Sequence, residues 1–263
     1  MKKKQILGVG VSDAKIEEAL EFIVTSLQEK QKKRIIFTPN PEIIVAAQKD
    51  KAFKDILNEA DLALADGVGV MWAGNMLGKP FKARITGVDF MIKLCDEASR
   101  RGFTVGLMGG GPKIAVQAAE CLLWKYPRLK ITFASEGIPI AEAKSGVSSI
   151  KYQVSSIKKQ ESSKIHNTKY IIPATDIIFV ALGFPKQEKW IHENLDMIPV
   201  RVAMAVGGSF DYISGAVPRA PLLIRRLGLE WLFRLLIQPW RIKRQLALIE
   251  FLLLVLKEKF SPA

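Results

Sequence analysis

The stretch Ala60-Asp-Leu-Ala-Leu-Ala-Asp-Gly-Val-Gly69 decides how the rest of the chain is read. Leu62 to Asp66 has the apolar run of a buried strand ending in a carboxylate. Two glycines then turn the chain into a helix predicted over 68–76. A carboxylate at the carboxyl end of a strand, beside a helix amino terminus, stands where open α/β sheets place ligands. Asp66 is therefore the candidate general base. The bland alternative for such a carboxylate is helix capping.

Working outward, the same strand–turn–helix unit recurs. Ile35 to Phe37 runs into Thr38-Pro-Asn-Pro-Glu42, where Asn40 suits an N-cap and Pro41 the first helical position. Whether Asn40 only caps its helix or also meets a ligand stays open. Arg84-Ile-Thr-Gly-Val-Asp89 places Thr86 three residues before Asp89, a capping-box relative, with Arg84 placed for a carboxylate or phosphate. Phe103 to Met108 leads into Gly109-Gly-Gly-Pro112, where glycines let backbone approach a ligand and Pro112 is expected to start a helix. Asp176 to Leu182 ends in Gly183-Phe-Pro-Lys-Gln-Glu188, which aims Lys186 and Gln187 at the same rim. The last clear strand, Arg201 to Val206, precedes Gly207-Gly-Ser-Phe-Asp211. Strands alternating with helices predict an α/β fold, a Rossmann-like, mostly parallel sheet of about six strands. The amino-terminal Ile6 to Val11 reads as a first strand or hairpin arm, and Ser12 or Asp13 as the cap of the helix that follows.

Composition narrows the classes. The 263 residues carry a formal charge of +13, which points to an anionic partner: nucleotide, lipid head group or nucleic acid. Cys95 and Cys121 form no Cys-x-x-Cys pair, which argues against a disulfide scaffold or structural zinc; both are expected as buried, inert thiols. No signal-peptide core follows the initial lysines, so a cytoplasmic protein is expected. Neither the dinucleotide fingerprint Gly-x-Gly-x-x-Gly nor a Walker phosphate loop is present, which disfavours a dehydrogenase. Residues 135–175, rich in Ser, Lys and Gln, read as an atypical surface excursion, and His166 within it as an ordinary surface histidine.

The carboxyl-terminal part separates as residues 219–263 from an α/β domain over 1–218. It holds nine Lys/Arg and three Glu, hence +6 of the total charge. A helix is predicted over 222–238, broken at Pro239, and residues 246–256 are apolar except Glu250. Eleven residues are too few to span a bilayer, which takes about 20. Core helices, a dimer interface and helices lying in a membrane interface all fit. Trp231, Trp240, Phe251 and the clustered arginines favour the membrane interface, and nucleic acid is not expected.

Taken together, Thr38-Pro-Asn-Pro-Glu42, Asp66-Gly-x-Gly69, Arg84-x-Thr-Gly-x-Asp89, Gly183-x-Pro-Lys-Gln-Glu188, Gly208-x-Phe-Asp211, Ser214-Gly-x-x-x-Arg-Ala-Pro221 and Gly228-x-Glu-Trp231 with Arg234 resemble the WecG/TagA/CpsF glycosyltransferases. The match covers most of residues 6–134 and 176–245. The resemblance implies a metal-independent, inverting transfer of N-acetylmannosamine from UDP-ManNAc to the 4-hydroxyl of GlcNAc-diphospho-undecaprenol, without a cofactor. The absence of an Asp-x-Asp triplet agrees with it. It further implies Asp66 as base, with Thr38, Asn40, Arg84, Thr86, Asp89, Lys186 and Gln187 at the substrates. Gly109 and Gly110 are assigned to the nucleotide on anion geometry. Arg219, Arg225, Arg226, Arg234, Arg241 and Arg244 are expected at the lipid diphosphate and the anionic inner leaflet, on an appendage that completes the site. UDP-ManNAc uronic acid or UDP-glucose as donor, and a non-catalytic nucleotide- or membrane-binding module, are the alternatives. Oligomeric state is left open. After Ala134 the family's usual compact turn is replaced by Ser135-Glu-Gly137 and the longer excursion.

Overall fold

The computed structural model describes residues 1–29, 32–137 and 172–260, so most of the 135–175 excursion and His166 lie outside the described residues. A six-stranded parallel sheet forms the centre, from β3 (Arg34–Phe37), β4 (Leu62–Ala63), β5 (Thr104–Gly109), β6 (Lys130–Ser135), β7 (Thr175–Ala181) and β8 (Val200–Ala205). Its order is β4-β3-β8-β7-β5-β6. The connection from β5 to β6 runs toward one edge and that from β7 to β8 toward the other. The ends of β5 and β7 thus flank a topological switch point, where a crevice opens outside the carboxyl ends of strands.

Alternation along the strands builds two apolar layers. Ile178, Val180, Ala203 and Ala205 face one side, and Ile177, Phe179, Val202 and Met204 the other. The first side is covered by α2 (Pro41–Lys49), α3 (Lys51–Glu59), α4 (Val68–Met76) and α7 (Lys186–Asn194). The second is covered by α1 (Ile16–Gln28), α5 (Gly87–Arg101), α6 (Ile114–Lys125) and the short α8 (Ser209–Ile213). A hairpin, β1 (Lys3–Ile6) and β2 (Val9–Ser12), packs into the first layer. Its two turn residues, Leu7 and Gly8, both have positive φ, 52° and 75°, as a type I′ turn requires.

Several sequence expectations are corrected. The strand expected over 62–66 is regular only at Leu62–Ala63. β4 is an edge: Leu64 N–H still bonds Phe37 O at 2.9 Å, but Ala65 O turns to Ile85 N–H at 3.0 Å and lifts Asp66 out of the sheet. Ser12 and Asp13 do not cap α1. Ser12 Oγ accepts Ala63 N–H at 3.0 Å and Asp13 bonds Lys82 N–H at 2.8 Å, so Lys15 takes the cap position, closed by Glu18. Pro112 does not start α6; Lys113, at φ 64°, precedes Ile114 there. Cys95 is buried but Cys121 is exposed, because it lies on the solvent side of α6.

The tail helix expected over 222–238 breaks at Gly228, which has φ 77°. It forms α9 (Leu222–Arg226) and α10 (Glu230–Ile237), joined by an elbow. After a 3-10 turn at 239–241, α11 (Ile242–Phe260) packs across α2 and α4. Phe251 and Val255, four residues apart and so on one helix face, are fully buried in the first layer. Burial of a phenylalanine of this kind contributes about 1.5–3 kcal/mol. Ion pairs Arg244–Glu42 and Lys49–Glu250 flank the contact at 2.5 and 2.7 Å. No helix among the described residues is long and apolar enough to cross a membrane.

Candidate active site

Asp66 follows β4 and precedes Gly67, whose φ of 88° is open only to glycine without strain. The amino termini of α2 and α4 come together here because Gly69 has no Cβ; one would lie 2.5 Å from Pro41 Cγ. Asp66 Oδ2 receives one long bond, from Gly87 N–H at 3.5 Å. Burial pushes its carboxyl up to about 7, the Gly87 amide works against that, and the Glu230 carboxylate adds to it. A base poised near neutrality suits proton removal from a sugar hydroxyl.

Around it, Thr38 is buried against the start of α5, 3.1 Å from where a Gly87 Cβ would stand. Asn40 caps α2, its Oδ1 accepting Ile43 N–H at 3.0 Å, which leaves the amide nitrogen for any ligand. Thr86 caps α5 and its hydroxyl donates to Asp89 Oδ2 at 2.6 Å. Arg219 forms a fork to Asp89 at 2.7 and 2.8 Å and reaches Glu230 at 3.3 Å. Burial alone would raise Asp89; the Arg219 and Thr86 bonds outweigh it and hold that carboxyl below the usual range. Arg84 donates to the backbone carbonyl of Arg225 at 2.8 Å. The elbow itself rests on the Asp66 turn: a Cβ on Gly228 would meet Val68 Cγ1 at 2.3 Å. Arg84, Asp89 and Arg219 thus hold the carboxyl-terminal helices against the turn that carries Asp66.

The other expected residues sort differently. Gly110 N–H bonds Ala181 O at 2.8 Å, and Glu136 accepts Lys113 N–H at 2.6 Å at the start of α6. The Gly110 amide that anion geometry singles out is therefore already engaged within the protein, with a carboxylate close by. Lys186 is exposed at the start of α7, whereas Gln187 is buried and bonded to Gly207 N–H and Glu188. Arg225 donates to Ala220 O at 3.0 Å, and Arg226 is exposed at the end of α9.

The remaining arginines gather over the turns after β7 and β8. Arg234 stands 3.6 Å from Asp211 and over the Tyr212 ring; Arg244 pairs with Glu42 and covers the Phe184 ring. Arg241 has a buried Nε with no hydrogen-bond partner among the described residues. Burial, then the charges of Arg234 and Arg244, push its guanidinium down to about 10. Such excess positive charge suits a diphosphate. Sequence reasoning gave no role to Glu230, Asp211, Tyr212 or Gly228, although Gly208-x-Phe-Asp211 and Gly228-x-Glu-Trp231 were legible as motifs.

One family matches nearly the whole chain: the glycosyl transferase WecG/TagA/CpsF model aligns with residues 4–263. The chain belongs to that family. It is 31% identical over 263 residues to the N-acetylglucosaminyldiphosphoundecaprenol N-acetyl-beta-D-mannosaminyltransferase of Bacillus spizizenii, covering 100% of this chain and 94% of the relative. Proteins of the same name from Bacillus subtilis and Staphylococcus aureus are also 31% identical, each over 98% of this chain and 93% of the relative. The family places this chain among the glycosyltransferases, with Asp66, Arg84 and the elbow inside the matched region.

Proposed function

We propose that this chain transfers N-acetylmannosamine from UDP-ManNAc to the 4-hydroxyl of GlcNAc-diphospho-undecaprenol, with inversion, in the synthesis of the wall teichoic acid linkage unit. The observation that carries the reading is Asp66, a partly buried carboxyl raised to about 7 beneath the elbow. The names of the relatives support the acceptor and the sugar.

Asp66 takes the proton of the acceptor hydroxyl as its oxygen attacks the anomeric carbon of the donor. The bond from that carbon to UDP breaks on the opposite face, and the electron pair leaves with the diphosphate. Arg234, Arg241 and Arg244 meet the charge that grows there, a preorganised electrostatic contribution that uses the protein's own cations. Thr38 and the Asn40 amide line the floor near the sugar.

An acceptor with an undecaprenyl chain stays in the bilayer, and α9 and α10 present the apolar surface to meet it. Leu222, Leu223, Leu227 at the end of α9, Leu236, and Trp240 in the 3-10 turn after α10 are exposed along this segment, the last two by 74% and 71%. With Arg226 beside them they form an interfacial, peripheral contact with the anionic cytoplasmic leaflet.

A donor panel with a soluble GlcNAc-diphosphate-lipid analogue tests the reading. UDP is expected only when UDP-ManNAc and the acceptor are both present. Faster release from UDP-ManNAc uronic acid or UDP-glucose overturns the donor, and UDP binding without release overturns the activity.

A further inference from the structure

Glu188 is wholly buried on the first turn of α7, and the transfer as described gives it no part. Its Oε1 accepts Gln187 Nε2–H at 2.8 Å, while Oε2 is buried with no partner among the described residues. Gln187, also buried, uses its own Oε1 to accept Gly207 N–H at 3.1 Å. Gly207 opens the turn after β8. The next residue, Gly208, lies so close beneath Arg234 that a Cβ there would be 2.8 Å from Nη2. The chain of contacts runs from a sealed carboxyl, through one amide, to the seat of an arginine in the cluster over the rim.

A primary amide has a donor end and an acceptor end of nearly equal shape, so its direction is set by its neighbours. The Glu188 oxygen can only accept there, which turns the Gln187 oxygen toward Gly207. The reverse orientation would set an NH2 group against the Gly207 N–H, donor against donor, and push the turn away. We propose that Glu188 is a positioning residue for the transfer: through the Gln187 amide it fixes the Gly207–Gly208 turn on which Arg234 rests. A carboxyl sealed without a cation is costly, and an apolar side chain of similar size would serve stability better. Burial pushes this carboxyl up to about 7, yet either protonation state keeps an acceptor at Oε1.

The proposal rests on the transfer reading for the place of the diphosphate at Arg234; the direction of the amide does not. The test uses full-length Glu188→Leu, Glu188→Gln, Gln187→Leu and the Glu188→Leu/Gln187→Leu double variant, with UDP as probe. Glu188→Leu is expected to weaken UDP binding about tenfold, the size of one lost internal hydrogen bond, and to unprotect the Gly207 amide in hydrogen exchange. Glu188→Gln, which keeps the acceptor, restores both to within about twofold. The double variant is no weaker than Gln187→Leu alone, because both changes break one chain of contacts. Wild-type UDP affinity in Glu188→Leu, failure of Glu188→Gln to rescue, or additive losses each overturn the proposal. If Glu188→Leu does not fold, the other two singles decide. Gln187→Leu must lose Gly207 protection while Glu188→Gln keeps it, and the opposite overturns it. Absent sugar transfer with these exchange and binding results intact counts against the proposed activity and leaves the positioning role standing.

Discussion

Gly228→Ala perturbs the elbow at its tightest point. In the wild type, a Cβ at this position would stand 2.3 Å from Val68 Cγ1 and 3.3 Å from Val68 Cβ, at a φ of 77°. Ordinary carbon contacts are about 3.5–4.0 Å, so the elbow must back away by about 1 Å or more. The Arg84 bond to Arg225 O, now 2.8 Å, is then stretched beyond hydrogen-bonding range. Left-handed backbone in alanine costs about 1–2 kcal/mol and a lost bond to a charged donor about 1.5–3 kcal/mol. Together they oppose docking by about 3 kcal/mol, roughly a hundredfold in the docked-to-undocked ratio. UDP release at saturating substrates should fall by at least about tenfold, with the melting transition of the sheet kept. Val68→Ala removes the overlapping methyl and, combined with Gly228→Ala, should recover most of the loss, leaving the φ cost. Wild-type turnover in Gly228→Ala, or no recovery in the double variant, would refute the elbow's role in completing the site.

Two further outcomes follow from the charges and surfaces. With Asp66 as the proposed base, the rate at low substrate should rise with pH through about 7 and then level, because a base acts only when ionised. Glu230→Gln, which removes the carboxylate that adds to the rise, should move that limb to lower pH; an unmoved limb sinks the coupling. Because the folded value lies above the ordinary 3.8, the stabilising contribution of Asp66 is present at low pH and lost as pH rises through about 7. Leu236→Glu with Trp240→Glu should reduce co-sedimentation with anionic vesicles by roughly tenfold at unchanged melting temperature. Undiminished sedimentation removes α10 and the 3-10 turn that follows it from the membrane contact.

Much of the sheet was legible because parallel central strands are apolar on both faces. The run 176–182 could hardly be anything else, and the turns after it carried glycine and proline at readable positions. What escaped was long-range. β4 shortens because Ala65 bonds Ile85, a partner twenty residues away that no local pattern reveals. Ser12 and Asp13 look like caps, but tertiary partners take their oxygens. The tail read as one basic, apolar segment, yet it divides at Gly228: α9 and α10 expose their leucines, while α11 buries Phe251 and Val255. Truncation after Pro218 would therefore uncover the core as well as remove the elbow, and substitutions within α9 and α10 are the cleaner probe. The six arginines were legible as a group. That Arg219 forks onto Asp89, Arg234, Arg241 and Arg244 cluster over the turns after β7 and β8, and Arg225 and Arg226 join neither group depends on how the elbow folds back.

The proton assignment is tested most directly by Asp66→Asn, assayed with UDP-ManNAc and the lipid-diphosphate acceptor and, separately, for UDP binding. An amide fills the same space but cannot accept the hydroxyl proton, so turnover should drop by about 10²–10⁴ while UDP affinity stays near wild type. Turnover within about threefold of wild type would contradict Asp66 as the base.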